Sequence, residues 1–542
     1  MATIEQQQPS PRGGTSPAPL EPPSPQISPI RVAVLLVVLA ALAFGAWRLI
    51  SAGTSAADAR SDAAPVYEPY VDVTQTPIYP FQLPSANPIA GVYLAFIVSD
   101  PSQPCTPSWG AYYTLEQAER SLDLGARTAQ LRKQGGSVMV SYGGRNNSEL
   151  AVGCTDSSKL LQAYLAPIER YHASAIDLDL EGQTLANTTA DARRAQAIAA
   201  VQQRMAARHT SLAVWVTLPV SRAGLTAEGI AAVQSLLAAH VELAGVNAMT
   251  MDFGPDEGAA HDMVDTIERA LYATHAQVQA LWRKAGLASG AAAAWGHVGV
   301  TVMLGVNDVT DQRFTTDDAH ELAAFVNDHG IPRVSAWSLN RDSECGGSFP
   351  QTGVSSNTCS GVLQTSLQFT RIFGSLKGTK TARPQSEAST STAQRPEPAA
   401  TDDPADSPYP IWRSTAAYGS GYKVVWEGEI YEASWWTQGT PPGSVAADSP
   451  SGPWQLIGPV PAGSHAPKLV LLTSGMPPAW SASTVYHQGE KVSFAGLPYE
   501  ARWYTHGEQP REELPSSTST PWEPLFKYPG EPSDSGSEGG AG

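Results

Sequence analysis

Between residues 66 and 375, apolar runs of strand length alternate with stretches of helical period. The strand-like runs cover 67–73, 91–99, 137–142, 175–181, 212–219, 245–253, 298–306 and 334–339. Helical patterns lie between most of them, as at 115–134, 157–171, 189–207 and 317–328. Eight strands alternating with helices over about 310 residues predict an α/β fold, a parallel (β/α)8 TIM barrel. In that fold the functional groups come from the C-terminal ends of the strands.

The fourth run carries the densest chemistry. Residues 174–182 read Ser-Ala-Ile-Asp-Leu-Asp-Leu-Glu-Gly, with Asp177, Asp179 and Glu181 spaced two apart. Strict alternation is a strand signal. On a strand, positions two apart share a face and lie roughly 6–7 Å apart. The three acids therefore line one side, while Ile176, Leu178 and Leu180 pack on the other. A half-exposed surface strand would alternate too, but neighbouring like charges repel, so surface strands rarely stack them this closely. Crowded carboxyls split their pKa values, so that one stays protonated while others ionise.

A chain of 542 residues is long enough for two to four domains. Its net charge of −17 repels phosphate backbones and argues against a nucleic-acid partner. No Gly-rich phosphate loop and no His/Cys cluster with metal-ligand spacing is found, so neither a metal nor an organic cofactor is expected. Cys105, Cys154, Cys345 and Cys359 form no C-x-x-C pair. Cys105 follows the second strand and Cys154 the third, while Cys345 and Cys359 follow the eighth, so pairs 105–154 and 345–359 are predicted. Closing a loop of about 15 residues contributes roughly 3 kcal/mol in the chain-entropy model. Four free thiols are the competing reading.

Residues 1–30 are rich in Pro, Ser and Gln and read as disordered. The apolar run at 31–50 reads as a transmembrane anchor or signal segment, and 51–65 as a stalk. An uncleaved single-pass anchor with the C-terminal part outside the cell is expected; secretion after signal cleavage is the alternative. Residues 376–407 and 459–475 read as linkers and 527–542 as a disordered tail. Between these lie an internal repeat at 408–458 and its copy at 476–526. Trp412, Tyr418, Val424, Tyr431, Trp435, Trp436 and Trp454 recur 68 residues on as Trp480, Tyr486, Val492, Tyr499, Trp503, Tyr504 and Trp522. Each unit suits a small all-β module. Adjacent aromatics on a strand point to opposite faces, so one ring of each pair, Trp435/Trp436 and Trp503/Tyr504, is expected inside and one outside.

The acidic strand resembles the catalytic strand of family 18 glycoside hydrolases, the chitinases, whose pattern is Asp-x-x-Asp-x-Asp-x-Glu. Here Ser174 replaces the first acid. Ser141-Tyr142-Gly143-Gly144 resembles the family's Ser-x-Gly-Gly motif, and Met251-Asp252-Phe253 its Tyr-Asp site, with methionine in place of the tyrosine that donates to the substrate. Trp337 resembles the tryptophan that floors the central sugar subsite. The repeats, at Tyr431 to Gly439 and Tyr499 to Gly507, resemble family 5/12 carbohydrate-binding modules. The resemblance implies a monomeric enzyme that hydrolyses β-1,4 links in chitin by a retaining, substrate-assisted mechanism. It implies Glu181 as general acid and base, Asp179 and Asp177 as its supports, and Tyr142, Met251, Asp252, Phe253 and Trp337 as substrate contacts. Trp435, Trp436, Trp503 and Tyr504 would bind the polymer. A non-catalytic chitin lectin and a peptidoglycan glycosidase are the alternatives.

Overall fold

All eight expected strands form, and they close on themselves. β1 comes in two pieces, Val66–Tyr67 and Tyr70–Asp72. It is followed by β2 (Gly91–Ser99), β3 (Ser137–Gly143), β4 (Ala175–Asp179), β5 (Ala213–Ser221), β6 (Leu243–Met249), β7 (Val298–Met303) and β8 (Arg333–Trp337). From β2 to β8, consecutive strands pair in parallel. The first piece of β1 pairs with β8, Val66 opposite Arg333, and the second with β2, Tyr70 opposite Tyr93, which completes the barrel. The computed structural model describes residues 64–254, 262–287, 290–309, 311–346, 352–380, 402–444, 452–466, 470–510, 520–527 and 531.

The strands are buried on both faces, as parallel strands under helices must be, and so read as near-continuous apolar runs. Around them lie α1 (Leu115–Leu122), α2 (Leu124–Lys133), α3 (Ser157–Tyr171), α4 (Thr188–Ala206), α5 (Ala227–Ala238), α6 (Met263–Lys284), α7 (Thr316–His329) and α8 (Gln368–Gly374). The single helix expected over 115–134 is two helices. Asp123, at φ 50°, caps the end of α1 and starts α2.

The expected membrane placement is not supported. No helix among the described residues is long and apolar enough to cross a membrane. The longest, α6, carries Asp265, Glu268, Arg269, Arg283 and Lys284. The segments at 1–30 and 31–50 and most of the stalk lie outside the described residues, as does most of the tail.

The linker starts later than its composition suggests. Leu376 is buried, the Gly378 amide donates to Pro65 O (2.9 Å), and Ala90 N donates to Lys380 O (2.8 Å), so the chain to residue 380 belongs to the barrel. Asp402 accepts from the amides of Glu427 and Gly428, which ties it to the first repeat. Residues 381–401 lie outside the described residues. The expected second linker ends early too, since Val470 pairs with Lys527 and Leu471 with Phe526.

The two repeats share one fold. Tyr418 pairs with Thr437 in the first and Tyr486 with Thr505 in the second. Lys423 and Ala433 pair with Glu432 and Trp454; Lys491 and Ala501 pair with Glu500 and Trp522. Tyr418, Val424, Tyr431 and Trp454 of the first and Tyr486, Val492, Tyr499 and Trp522 of the second belong to one contiguous apolar cluster. The expected inside-outside split of the ring pairs does not occur. Trp435 and Trp436 are 47% and 59% exposed, and Trp503 and Tyr504 are 43% and 62% exposed. Each pair sits in the break between two strands, Glu429–Ala433 and Thr437–Gln438, or Leu497–Ala501 and Thr505–His506, where strand alternation no longer governs direction.

The first repeat is seated on the barrel. Val425, Ile430 and Ile457 bury against Ala126 of α2. Asp123 accepts a hydrogen bond from the Tyr409 hydroxyl (2.5 Å) and pairs with Lys423, and Lys133 pairs with Glu429. At Gly458 a Cβ would stand 2.2 Å from Ala126 O, so this backbone approach requires glycine. The second repeat has Ser493, Pro498 and Phe526 where the first has Val425, Ile430 and Gly458.

Candidate active site

The closed barrel brings polar side chains from four strands onto one carboxylate. Asp177 of β4 is fully buried. Its Oδ2 accepts from the Tyr70 hydroxyl of β1 (2.8 Å) and from Ser141 Oγ of β3 (2.7 Å). Its Oδ1 accepts from Thr217 Oγ1 of β5 (2.6 Å) and Arg333 Nη1 of β8 (3.1 Å). Asn247 of β6 donates to Thr217 Oγ1 (2.9 Å). The Arg333 guanidinium also donates to the Tyr70 hydroxyl (2.9 Å) and lies 3.9 Å from the centre of the Tyr93 ring. Ser174, in place of the family's first acid, is exposed below the start of β4. Arg333 and Tyr70 build the deep end of the network instead.

Two residues further along β4, Asp179 is buried beneath a cavity of about 830 Å³. Asp179, Glu181, Met251, Asp252, Trp337 and Arg145 are among its walls. Burial, with Glu181 and Asp177 beside it, pushes the Asp179 carboxyl well above the ordinary carboxylate range. Its Oδ1 has no hydrogen-bond partner among the described residues, and its carboxyl shares a hydrogen bond with Glu181. Burial pushes Glu181 up to about 7. The Arg145 guanidinium pulls it down, while Asp252 and Asp308 push it up. A carboxyl poised near neutrality suits proton transfer in both directions.

Gly143 and Gly144 are needed where they stand. Both have positive φ, and a Cβ on Gly143 would lie 2.0 Å from Asp179 O. The Gly144 amide donates to that same carbonyl (3.0 Å), pinning the ends of β3 and β4 together beside the carboxyls.

The cavity collects Asp179, Glu181, Met251, Asp252 and Trp337 from among the residues expected to contact substrate or act on it. Trp337 stacks on Phe96, with centroids 5.3 Å apart and planes at 20°. Asp252 accepts from the Val309 amide (2.9 Å). Asp177 lies beneath Asp179. Two expected contacts are elsewhere. Tyr142 alternates with inward-facing Ser141, so it points into the barrel–helix layer, where its hydroxyl donates to Tyr164 O (2.7 Å). Phe253 is buried, and its backbone pairs with the side chain of Gln312. Sequence reasoning missed Tyr70, Thr217, Arg333, Arg145 and Asp308. The first three are polar residues in or beside apolar runs, a signal visible only once register is known.

The rim is fastened by two disulfides. Cys105–Cys154 joins the segments after β2 and β3, with Cα atoms 4.6 Å apart, and Cys345–Cys359 closes the segment after β8 at 5.0 Å.

Parts of the chain are similar to known proteins. Residues 479–523 match the model of carbohydrate-binding module family 5/12. Over 286 residues the chain is 34% identical to a "probable bifunctional chitinase/lysozyme" of Escherichia coli (strain K12), a match covering 51% of this chain and 31% of that protein. Over 287 residues it is 32% identical to endochitinase 11 of Metarhizium anisopliae, covering 51% of this chain and 52% of that protein. The chain thus spans about a third and about half of these relatives' lengths. The catalytic domain of a hyperthermophilic chitinase from Pyrococcus furiosus superposes with a TM-score of 0.48 at 23% identity, covering 58% of this chain and 96% of that one.

Proposed function

On the premise that this barrel is a homologue of the family 18 chitinases and carries a family 5/12 carbohydrate-binding module, we propose that the protein hydrolyses the β-1,4 links of chitin. The observation that carries this reading is the pair at the cavity floor, a buried Asp179 with its carboxyl raised well above the ordinary range beside a Glu181 raised to about 7. Most retaining glycosidases place a nucleophilic carboxylate across the sugar; this family is an exception. Here the carboxyls beside Glu181 share its own chain segment, which suits orientation better than attack from the far face of the ring. The substrate's acetamido oxygen attacks the anomeric carbon while Glu181 protonates the leaving oxygen. Asp179 holds the acetamido N–H and offsets the positive charge of the ring intermediate. Water activated by Glu181 then opens that ring with retained configuration. Met251 presents no donor where a tyrosine hydroxyl would reach the substrate, so Asp179 carries more of the acetamido contact.

The exposed rings of the repeats offer flat apolar faces on which sugar C–H surfaces can stack. The second repeat rests on the family match, and the first on its shared strand register.

Cleavage of colloidal chitin tests the proposal. Wild-type protein should release N-acetylglucosamine oligomers. Glu181→Gln should abolish turnover but retain binding, and Asp179→Asn should lose rate more than affinity. Fully deacetylated chitosan should not be cut. Turnover persisting in Glu181→Gln, or product of inverted configuration, would overturn the mechanism. Peptidoglycan is the second substrate to assay, because the bacterial relative's name pairs chitinase with lysozyme. Release of sugars from purified cell wall, but not from chitin, would favour that reading.

A further inference from the structure

Arg333 stands outside every motif of the site, yet it is buried at the base of the barrel with its charge directed at Asp177. A carboxylate has about four lone-pair sites. On Asp177 all four are taken, by Tyr70, Ser141, Thr217 and Arg333. Asp179, the next acid up the strand, therefore finds no acceptor below it. Its neighbour on the other side is Glu181, at the cavity.

We propose that Arg333 is a positioning residue. By completing the four-donor shell it keeps Asp177 closed to Asp179, so that the Asp179 carboxyl is directed to the substrate side, toward Glu181. This rests on the hydrolytic reading of the site. Asp179 is faced by Asp177 and Glu181 from its own strand and its extension, and by Arg333 from β8. Glu181 is faced by Arg145 from the segment after β3, Asp252 from that after β6 and Asp308 from that after β7.

If Arg333 is removed, one lone pair on Asp177 opens and Asp179 can turn down to it. Glu181 then loses the hydrogen bond that favours its ionised form, and it titrates at higher pH. The experiment is the pH profile of kcat/KM on a soluble chito-oligosaccharide, with the Glu181 carboxyl followed by 13C NMR without substrate. Arg333→Met should lower kcat about tenfold or more with KM little changed, and should move the basic limb and the Glu181 titration upward. Arg333→Lys keeps the charge and should restore the limb. Ser141→Ala opens a lone pair on the same carboxylate without removing charge, and should shift the limb the same way by less. It supplies the test if Arg333→Met does not fold.

Loss of activity with an unmoved limb and an unmoved Glu181 titration in the folded variants would overturn the positioning role. Wild-type protein that cleaves no N-acetylglucosamine polymer would instead overturn the hydrolytic reading, and the NMR titration would still decide the inference.

Discussion

Asp177 and Asp179 stand two residues apart on one face of one strand, yet one is clasped by four donors and the other is pushed well above the ordinary carboxylate range. The difference lies in what the neighbouring strands supply at each level of the barrel. Ser141, Thr217 and Arg333 meet at the lower carboxyl, and only Glu181 meets the upper one. The rim charges set the working range of Glu181, and they predict shifts of opposite sign. A general acid must be protonated, so kcat/KM should fall as pH rises through about 7. Arg145→Met removes the cation that lowers Glu181 and should move that limb upward. Asp252→Asn removes an anion that raises it and should move the limb downward. The Arg145 shift should shrink with added salt, since Arg145 is exposed. Limbs that move in the same direction in both variants would show that something other than these charges sets the range.

At the scale of elements, the strands and the acidic run were legible because period and spacing are local properties. What sequence could not give is direction where an element ends. Trp435 and Trp436 were expected to split between core and surface, but they lie past the last residue of their strand, and both rings face out. Tyr142 was expected in the cavity because it sits in the Ser-x-Gly-Gly motif, yet its neighbour Ser141 holds the inward position. Arg333 reads as the polar flank of an apolar run and becomes functional only through its register against β1 and β7. With both rings of each pair exposed, Trp435→Ala with Trp436→Ala, or Trp503→Ala with Tyr504→Ala, should each weaken adsorption to insoluble chitin. Cleavage of short soluble oligomers should be spared. In the docking contact, Val425→Asp would bury an unpaired charge, which costs several kcal/mol unless the repeat lifts away. Hydrogen exchange in α2 should then rise; exchange unchanged from wild type would mean the contact is not maintained in solution.

Across the whole molecule, covalent ties and docked surfaces divide the work. The Cys105–Cys154 link closes a loop with a sequence separation of 49 residues, for which the chain-entropy model gives roughly 4 kcal/mol. Cys105→Ala with Cys154→Ala should lower the melting temperature and loosen the rim before the lower barrel, as read by exchange in the segments after β2 and β3. Tethering raises effective concentration only for a module free to search, and the first repeat is held against α2 by Val425, Ile430, Ile457 and the Asp123 contacts. That seat also bears on how the protein can be cut. A barrel ended after residue 380 would bare Ala126 and leave Asp123 without Tyr409 and Lys423, turning a settled interior seam into an adhesive strip on α2. Such a fragment should tend to self-associate, whereas one extended through residue 466 keeps the strip covered. For recombinant work, a fragment that keeps the barrel together with its first repeat keeps that seam on α2 covered.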